Sequence, residues 1–138
     1  MQRDDAVQVP AERLVSQLPT VLVVDDTPDN LVFMSALLGE HYRVKVASSG
    51  ARALKAAQAA PVPDLVLLDI MMPKKSGYEV CEILRADPAR AGMKIVMLSA
   101  KGRDTEVAKG MALGADAYVT KPFSTKDLVA QVAGLLNG

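Results

Sequence analysis

The chain has 138 residues and a balanced charge, with sixteen basic and sixteen acidic side chains and a formal net charge of +0. This length suits one domain of ordinary size and leaves no room for a second full domain. Neither half of the chain is strongly basic or acidic, which argues against nucleic acid as a direct partner. No run approaches the roughly 18 apolar residues of a membrane span.

Hydrophobic residues make up 50% of the chain, but aromatic residues only 4%. The core must therefore consist of aliphatic side chains, a mixture that suits helices packed on a parallel sheet. The single cysteine, Cys81, lies in a segment of helical character. We expect it to be a small buried hydrophobic residue rather than a nucleophile.

The first nineteen residues are polar and contain Pro10 and Pro19. We expect residues 1–19 to form an N-terminal extension and residues 20–138 to form the folded domain. The polar start lacks the charged-then-apolar order of a signal peptide, which predicts a cytoplasmic protein.

From Val21 onward, short apolar runs alternate with segments of helical periodicity. Asp29 or Asn30 is expected to cap the first helix, and Gly39 to end it. The alternation predicts an α/β domain, doubly wound on a five-stranded parallel sheet. The predicted strands are 21–25, 43–47, 64–69, 94–99 and 117–120, and the predicted helices are 29–39, 51–60, 78–86, 105–113 and 125–136.

Four ionisable side chains stand where predicted strands end. Asp25 and Asp26 follow the first strand, Asp69 ends the third, and Lys121 follows the fifth. Because ligands bind outside the carboxyl ends of parallel strands, we expect these groups to meet at one edge. Three clustered carboxylates raise one another's proton affinity unless a cation is present, and Mg²⁺ prefers such oxygen ligands. A single acid could equally cap a helix or a loop, but the four groups together favour a functional cluster.

Four motifs, in order, resemble the receiver domain of bacterial response regulators of the chemotaxis-regulator type. The resemblance covers about residues 20–137. It implies a flavodoxin-like sheet with strand order 2-1-3-4-5 and helices on both faces. The motifs are Val-Val-Asp25-Asp26, Leu-Leu-Asp69-Ile-Met-Met-Pro, Leu-Ser99-Ala-Lys, and Gly114-Ala-Asp-Ala-Tyr118-Val-Thr-Lys121-Pro-Phe.

The resemblance also implies a role for each residue of the cluster. Asp69 would accept a phosphoryl group from a phosphohistidine of a sensor histidine kinase or phosphotransfer protein. Asp26, Asp69 and the backbone carbonyl of Met71 would bind Mg²⁺, or Mn²⁺ in its place, and Asp25 would hold a metal-bound water. Lys121 and the Ser99 hydroxyl would stabilise the charge on the transferred group.

Ser99 and Tyr118 would form the switch of this family. After phosphorylation, the Ser99 hydroxyl would turn toward the phosphate and the Tyr118 ring would occupy the vacated space. The face formed by the fourth helix, the fifth strand and the fifth helix would then change shape. The plainer alternatives are a Ser99 that caps the turn at Lys101 and a Tyr118 half buried at the sheet edge. A cis bond between Lys121 and Pro122 is also suggested by the resemblance.

Met71 and Lys101 border the expected path of a hydrolytic water. We hypothesise that Met71 positions this water poorly and that Lys101 competes for it, which would lengthen the lifetime of the phosphoryl group. The alternative, of equal weight, is that both residues only cover the surface.

The resemblance thus implies a two-component response regulator receiver, a signalling domain rather than an enzyme with an external substrate. Its output would be an unknown downstream protein, a domain beyond Gly138, or a phosphorylation-dependent homodimer at the Tyr118 face. One alternative is a metal-dependent phosphohydrolase, which would carry a second acid where Met71 stands. Another alternative is a flavodoxin-like nucleotide or flavin binder. Such a protein would carry glycines or hydroxyls that bind phosphate in the turn after the first strand. Here acids replace them, in the sequence Asp25-Asp26-Thr27-Pro28-Asp29.

Overall fold

The computed structural model describes residues 18–72, 74–100 and 104–137. Five parallel strands form one sheet in the order β2-β1-β3-β4-β5. The predicted doubly wound, flavodoxin-like α/β fold is therefore confirmed. The strands are β1 Thr20–Val24, β2 Arg43–Ala47, β3 Leu65–Asp69, β4 Lys94–Ser99 and β5 Ala117–Thr120.

Within the described residues, four helices connect the strands, a fifth follows β5, and a short 3₁₀ helix, Pro88–Arg90, precedes β4. The predicted bounds of β2, β4 and β5 are confirmed, and those of the other strands and of the helices differ from the observed ones by at most two residues. The peptide bonds Lys121–Pro122 and Ala60–Pro61 are both cis. The helices are α1 Pro28–Leu38, α2 Gly50–Gln58, α3 Gly77–Ala86, α4 Asp104–Ala112 and α5 Thr125–Asn137.

Two apolar layers cover the two faces of the sheet. Side chains alternate between faces along a strand, so Leu22 and Val24 enter the layer that contains α2 and α3, whereas Val21 and Val23 enter the layer that contains α1 and α5. All residues of β1 and β3 are buried. Cys81 is buried in the first of these layers, as predicted. The two fully buried, paired strands β1 and β3 therefore support the loops at their carboxyl ends.

The predicted N-cap of α1 was wrong. The helix begins at Pro28, and Thr27 occupies the N-cap position without a side-chain cap hydrogen bond. Proline suits the first helical position because it has no N–H that needs a cap there. Asn30 instead donates its side-chain amide to Asp25 Oδ2 at 3.1 Å. Gly39 is the C-cap, as predicted.

Residues 1–17 of the predicted N-terminal extension lie outside the described residues, and so does Lys101. None of the helices in the part of the chain that the structure describes combines the length and the apolar character needed to cross a membrane.

Candidate functional site

Three carboxylates meet at the carboxyl edge of the sheet. β1 is followed directly by Asp25 and Asp26, β3 ends at Asp69, and these two strands are paired neighbours. One carboxylate oxygen from each of the three residues lies within 4.8 Å of the other two. Asp25 and Asp69 are buried, whereas Asp26 is exposed. The strand ends therefore bring the three predicted acids together, with one side open to solvent.

Lys121 reaches this cluster from the end of β5. Its Nζ lies 3.7 Å from Asp25 Oδ2 and 3.8 Å from Asp69 Oδ1. Its backbone N–H donates to the carbonyl of Ser99 at 2.7 Å, which fixes the end of β5 against the end of β4. One ammonium group is thus shared between two buried carboxylates, and the cluster carries an excess of negative charge.

Asp25 is held by the turn that leads into α1. Its Oδ1 accepts a hydrogen bond from the backbone N–H of Thr27 at 2.9 Å, and its Oδ2 accepts one from the Asn30 side chain. Asn30 was not predicted as a site residue. Its position in the first turn of a helix, just after a strand-end acid, is the signal that could have found it.

Asp69 is buried to nearly the same extent as Asp25. Its Oδ1 accepts a hydrogen bond from the backbone N–H of Met71 at 3.2 Å. Burial raises the pKa of Asp69 above its ordinary value; the ammonium group of Lys121 opposes this effect, and the charge of Asp25 adds to it. The pKa of Asp69 is raised because the effect of burial outweighs that of the nearby positive charge.

The donor set fits a small, hard divalent cation. Such ions prefer carboxylate and carbonyl oxygens, and Mg²⁺ also retains water ligands, which the exposed side at Asp26 allows. Met71, whose backbone carbonyl was predicted as a further ligand, has a side chain that is 56% exposed beside the cluster. The oxygens of Asp25, Asp26 and Asp69 could therefore hold a metal ion.

Ser99 lies on β4, the neighbour of β3, and Tyr118 lies on β5, the edge strand beyond β4. Ser99 ends β4 and is 1% exposed, and Leu98, the residue before it, pairs with Asp69. Tyr118 on β5 is half buried against the α2–α3 layer. A Cβ atom at residue 110 would lie 3.1 Å from Cδ2 of Tyr118, so Gly110 allows α4 to contact the tyrosine ring closely.

A cavity of about 280 Å³ adjoins the cluster between α1 and the loop after β5. Asp25 and Lys121 form part of its wall, and Phe33 and Phe123 line it with apolar surface. Val32 and Phe33 on α1 are 70% and 52% exposed. The site therefore has an apolar border on its α1 side.

Comparisons with known proteins agree with this arrangement of strand-end residues. A sequence model of the response regulator receiver domain matches residues 21–133. The chain is 45% identical to the DNA-binding response regulator MtrA of Mycolicibacterium smegmatis over 117 residues, which are 84% of this chain and 50% of MtrA. It is 43% identical over 113 residues to a probable cyclic di-GMP phosphodiesterase of Vibrio cholerae, covering 82% of this chain and 25% of that protein.

The solved structure of the Vibrio cholerae chemotaxis protein CheY4 is also similar, with a TM-score of 0.80 and 28% sequence identity. The similarity covers 86% of this chain and 98% of the CheY4 chain. The chain belongs to the response regulator receiver family, the signalling domains of two-component systems, as the motifs predicted. It spans between a quarter and a half of the length of the two curated relatives.

Proposed function

We propose that this chain is a phosphorylation-controlled receiver and that Asp69 is its phosphoacceptor. The observation that carries the proposal is the burial of Asp69 between two acids and Lys121 at the carboxyl edge of the sheet. A carboxylate oxygen of Asp69 forms a bond to phosphorus as the bond from phosphorus to the donor's imidazole nitrogen breaks. The product is an acyl phosphate on Asp69. The donor is a sensor histidine kinase or a phosphotransfer protein.

Mg²⁺, or Mn²⁺, would be held by Asp26, Asp69 and the backbone carbonyl of Met71, and by Asp25 through a metal-bound water. When bound, the cation supplies the positive charge that offsets the carboxylates and the phosphoryl oxygens. Asn30 and the Thr27 N–H keep the Asp25 carboxylate turned toward the site. Lys121 lies close enough to Asp69 to pair with a phosphoryl oxygen there, and Ser99 supplies a hydroxyl donor.

The receiver domain spans residues 20–138 in this proposal, with residues 1–19 as an extension. Ser99 and Tyr118 act as the switch, and phosphorylation changes the face of α4, β5 and α5. The output is a protein contact: a downstream protein, an output domain of a longer regulator, or a second copy of the chain. No external substrate is turned over.

The phosphodonor docks on the α1 side of the site. Val32 and Phe33 expose apolar surface there, and Phe33 lines the cavity that Asp25 and Lys121 also border. Exposed aromatic and aliphatic side chains beside a polar site are typical of protein contacts. A partner seated on α1 brings its phosphohistidine to the open edge of the cluster.

The test is intact mass after incubation with acetyl phosphate, with Mg²⁺ or with a chelator. We expect the wild-type chain to gain one phosphoryl group only when Mg²⁺ is present, and Asp69→Asn to gain none. Asp127→Asn is the matched control, because Asp127 is an exposed acid in the first turn of α5. An adduct on Asp69→Asn would contradict the proposal, as would a wild type that neither gains the group nor binds beryllofluoride.

A further inference from the structure

The start of α3 lies directly on the backbone of the proposed phosphoacceptor. The Gly77 N–H donates to the carbonyl of Ile70 at 3.1 Å. A Cβ atom at residue 77 would lie 2.7 Å from the backbone oxygen of Asp69, so only glycine permits this contact. Tyr78, the next residue of α3, is therefore anchored to the strand end that carries Asp69.

The side chain of Tyr78 reaches across to α4. Its hydroxyl donates to Oε2 of Glu106 at 3.1 Å and lies 3.4 Å from the backbone oxygen of the same residue. Nζ of Lys109, one turn further along α4, lies 4.3 Å from the centroid of the Tyr78 ring, within the range of a cation–π contact. One side chain of α3 thus makes both polar and ring contacts with α4.

The third partner of Tyr78 is Tyr118. Burial raises the pKa of Tyr78, and side-chain hydrogen bonds with Tyr118 and Glu106 add to this shift, so the hydroxyl keeps its proton at neutral pH. The Tyr118 ring lies against Gly110 and Met97, within the layer between the sheet and the helices. Tyr78 therefore connects the strand end of Asp69, helix α4 and the switch tyrosine.

We infer that Tyr78 is a positioning residue for the switch, whose hydroxyl holds the Tyr118 ring inward and α4 against α3. This inference rests on the proposed function, because it assumes that the inward ring is the arrangement favoured by phosphorylation. A hydrogen bond present before phosphorylation biases the equilibrium between the two arrangements by about fivefold. The affinity for a phosphoryl mimic changes in the same direction and by at most this factor, because it scales with the fraction of molecules in the competent arrangement.

Four variants separate the hydroxyl from the packing around it. Tyr78→Phe keeps the ring beneath Lys109 and removes the hydroxyl. Glu106→Ala removes the acceptor, whereas Glu106→Gln keeps an acceptor oxygen at the same position. Lys109→Met removes the charge over the ring and leaves the hydroxyl in place.

Two measurements are made on the full chain. The first is the ¹⁹F NMR signal of Tyr118 in fluorotyrosine-labelled protein without any phosphoryl mimic; the sequence contains three tyrosines, so assignment by single Tyr→Phe variants is direct. The second is the affinity for beryllofluoride with Mg²⁺ present. Urea denaturation confirms that each variant is folded.

We expect Tyr78→Phe to expose the Tyr118 ring and to weaken beryllofluoride binding by up to about fivefold. Because the Tyr78 hydroxyl donates its one proton to Glu106, its oxygen accepts from Tyr118, and Glu106→Ala, which only frees that hydroxyl, should act in the same direction but less. Glu106→Gln and Lys109→Met should remain close to wild type. An unchanged Tyr118 signal in Tyr78→Phe would overturn the inference, as would an equal loss in Lys109→Met, since packing would then explain the effect. If the wild type binds no mimic at Asp69, the proposed function fails, and the mimic-free Tyr118 signal still decides whether Tyr78 holds the ring.

Discussion

Two clusters of charged side chains lie at opposite edges of the sheet and are built in different ways. At the amino-terminal edge, Arg85 of α3 donates to the backbone oxygens of Gly114 and Met93 and to Asp116. The same Asp116 oxygen accepts the N–H of Ile95 at 2.8 Å. One cation and one anion are therefore matched, and their hydrogen bonds join α3, β4 and the turn before β5.

At the carboxyl-terminal edge, three carboxylates share one ammonium group, at 3.7 and 3.8 Å from two of them. Asp69 receives one backbone hydrogen bond, from Met71. The comparison teaches that charge balance separates a structural ion pair from a binding site. The first cluster is complete within the chain, whereas the second has a deficit of positive charge that a bound cation can offset.

The largest effect on stability should come from breaking the complete cluster. Arg85→Met leaves Asp116 and two backbone oxygens without their donor, so we expect a loss of about 2–3 kcal/mol in the free energy of unfolding. Urea denaturation in Mg²⁺-free buffer measures it. Arg85→Lys, which keeps the charge but offers fewer donors, should lose less. A loss below about 0.5 kcal/mol would mean that the cluster behaves as a surface ion pair and contributes little to the free energy of unfolding.

Removing a charge from the incomplete cluster should have the opposite sign. Asp69→Asn should raise the free energy of unfolding by roughly 1 kcal/mol in Mg²⁺-free buffer at neutral pH, a typical size for one residue. Because the folded-state pKa of Asp69 is raised, the folded chain binds this proton more tightly than the unfolded chain. The cost of the buried charge is therefore present above the folded-state pKa and disappears as the pH falls through it.

The gain of Asp69→Asn over wild type should accordingly shrink on acidification. Mg²⁺ should reverse the order of the two proteins, because a ligand at ten times its Kd stabilises the folded state by about 1.4 kcal/mol. Denaturation at several pH values, with Mg²⁺ or a chelator, tests both statements. An Asp69→Asn chain less stable than wild type without Mg²⁺ would show that Lys121 already compensates the cluster.

The sequence was sufficient to predict the fold and the four ionisable residues of the site. Apolar runs mark buried strands, and in a parallel sheet the residues that end them must share an edge, so Asp25, Asp26, Asp69 and Lys121 follow from local pattern alone. The cap of α1 was wrong because Asp29 and Asn30 match a capping pattern, whereas Pro28 already starts the helix.

Contacts between distant residues could not be predicted in this way. Tyr78 and Glu106 are 28 positions apart, and Arg85 and Asp116 are 31 apart. Neither pair has a periodic signature, since each depends on how α3 packs against α4 or against the turn before β5. Asn30 was missed for a related reason, because its partner lies across the turn from strand to helix.

The smallest effects should come from the border of the incomplete cluster, where Met71 lies and where the sequence predicts Lys101. The Met71 side chain is 56% exposed, so exchanging it for a polar side chain should perturb the fold little. Asparagine there could orient the hydrolytic water by a hydrogen bond that methionine cannot make as strongly.

We expect Met71→Asn and Lys101→Glu each to speed dephosphorylation several-fold, a change of about 1 kcal/mol or less in the barrier. Decay of the phosphorylated mass after donor removal measures the rate, with Met111→Asn, an exposed methionine of α4, as the control. Rates equal to wild type in both variants would assign the two residues to surface cover alone. A several-fold change would instead show that residues outside the cluster of three carboxylates and Lys121 help to set the lifetime of the phosphoryl group.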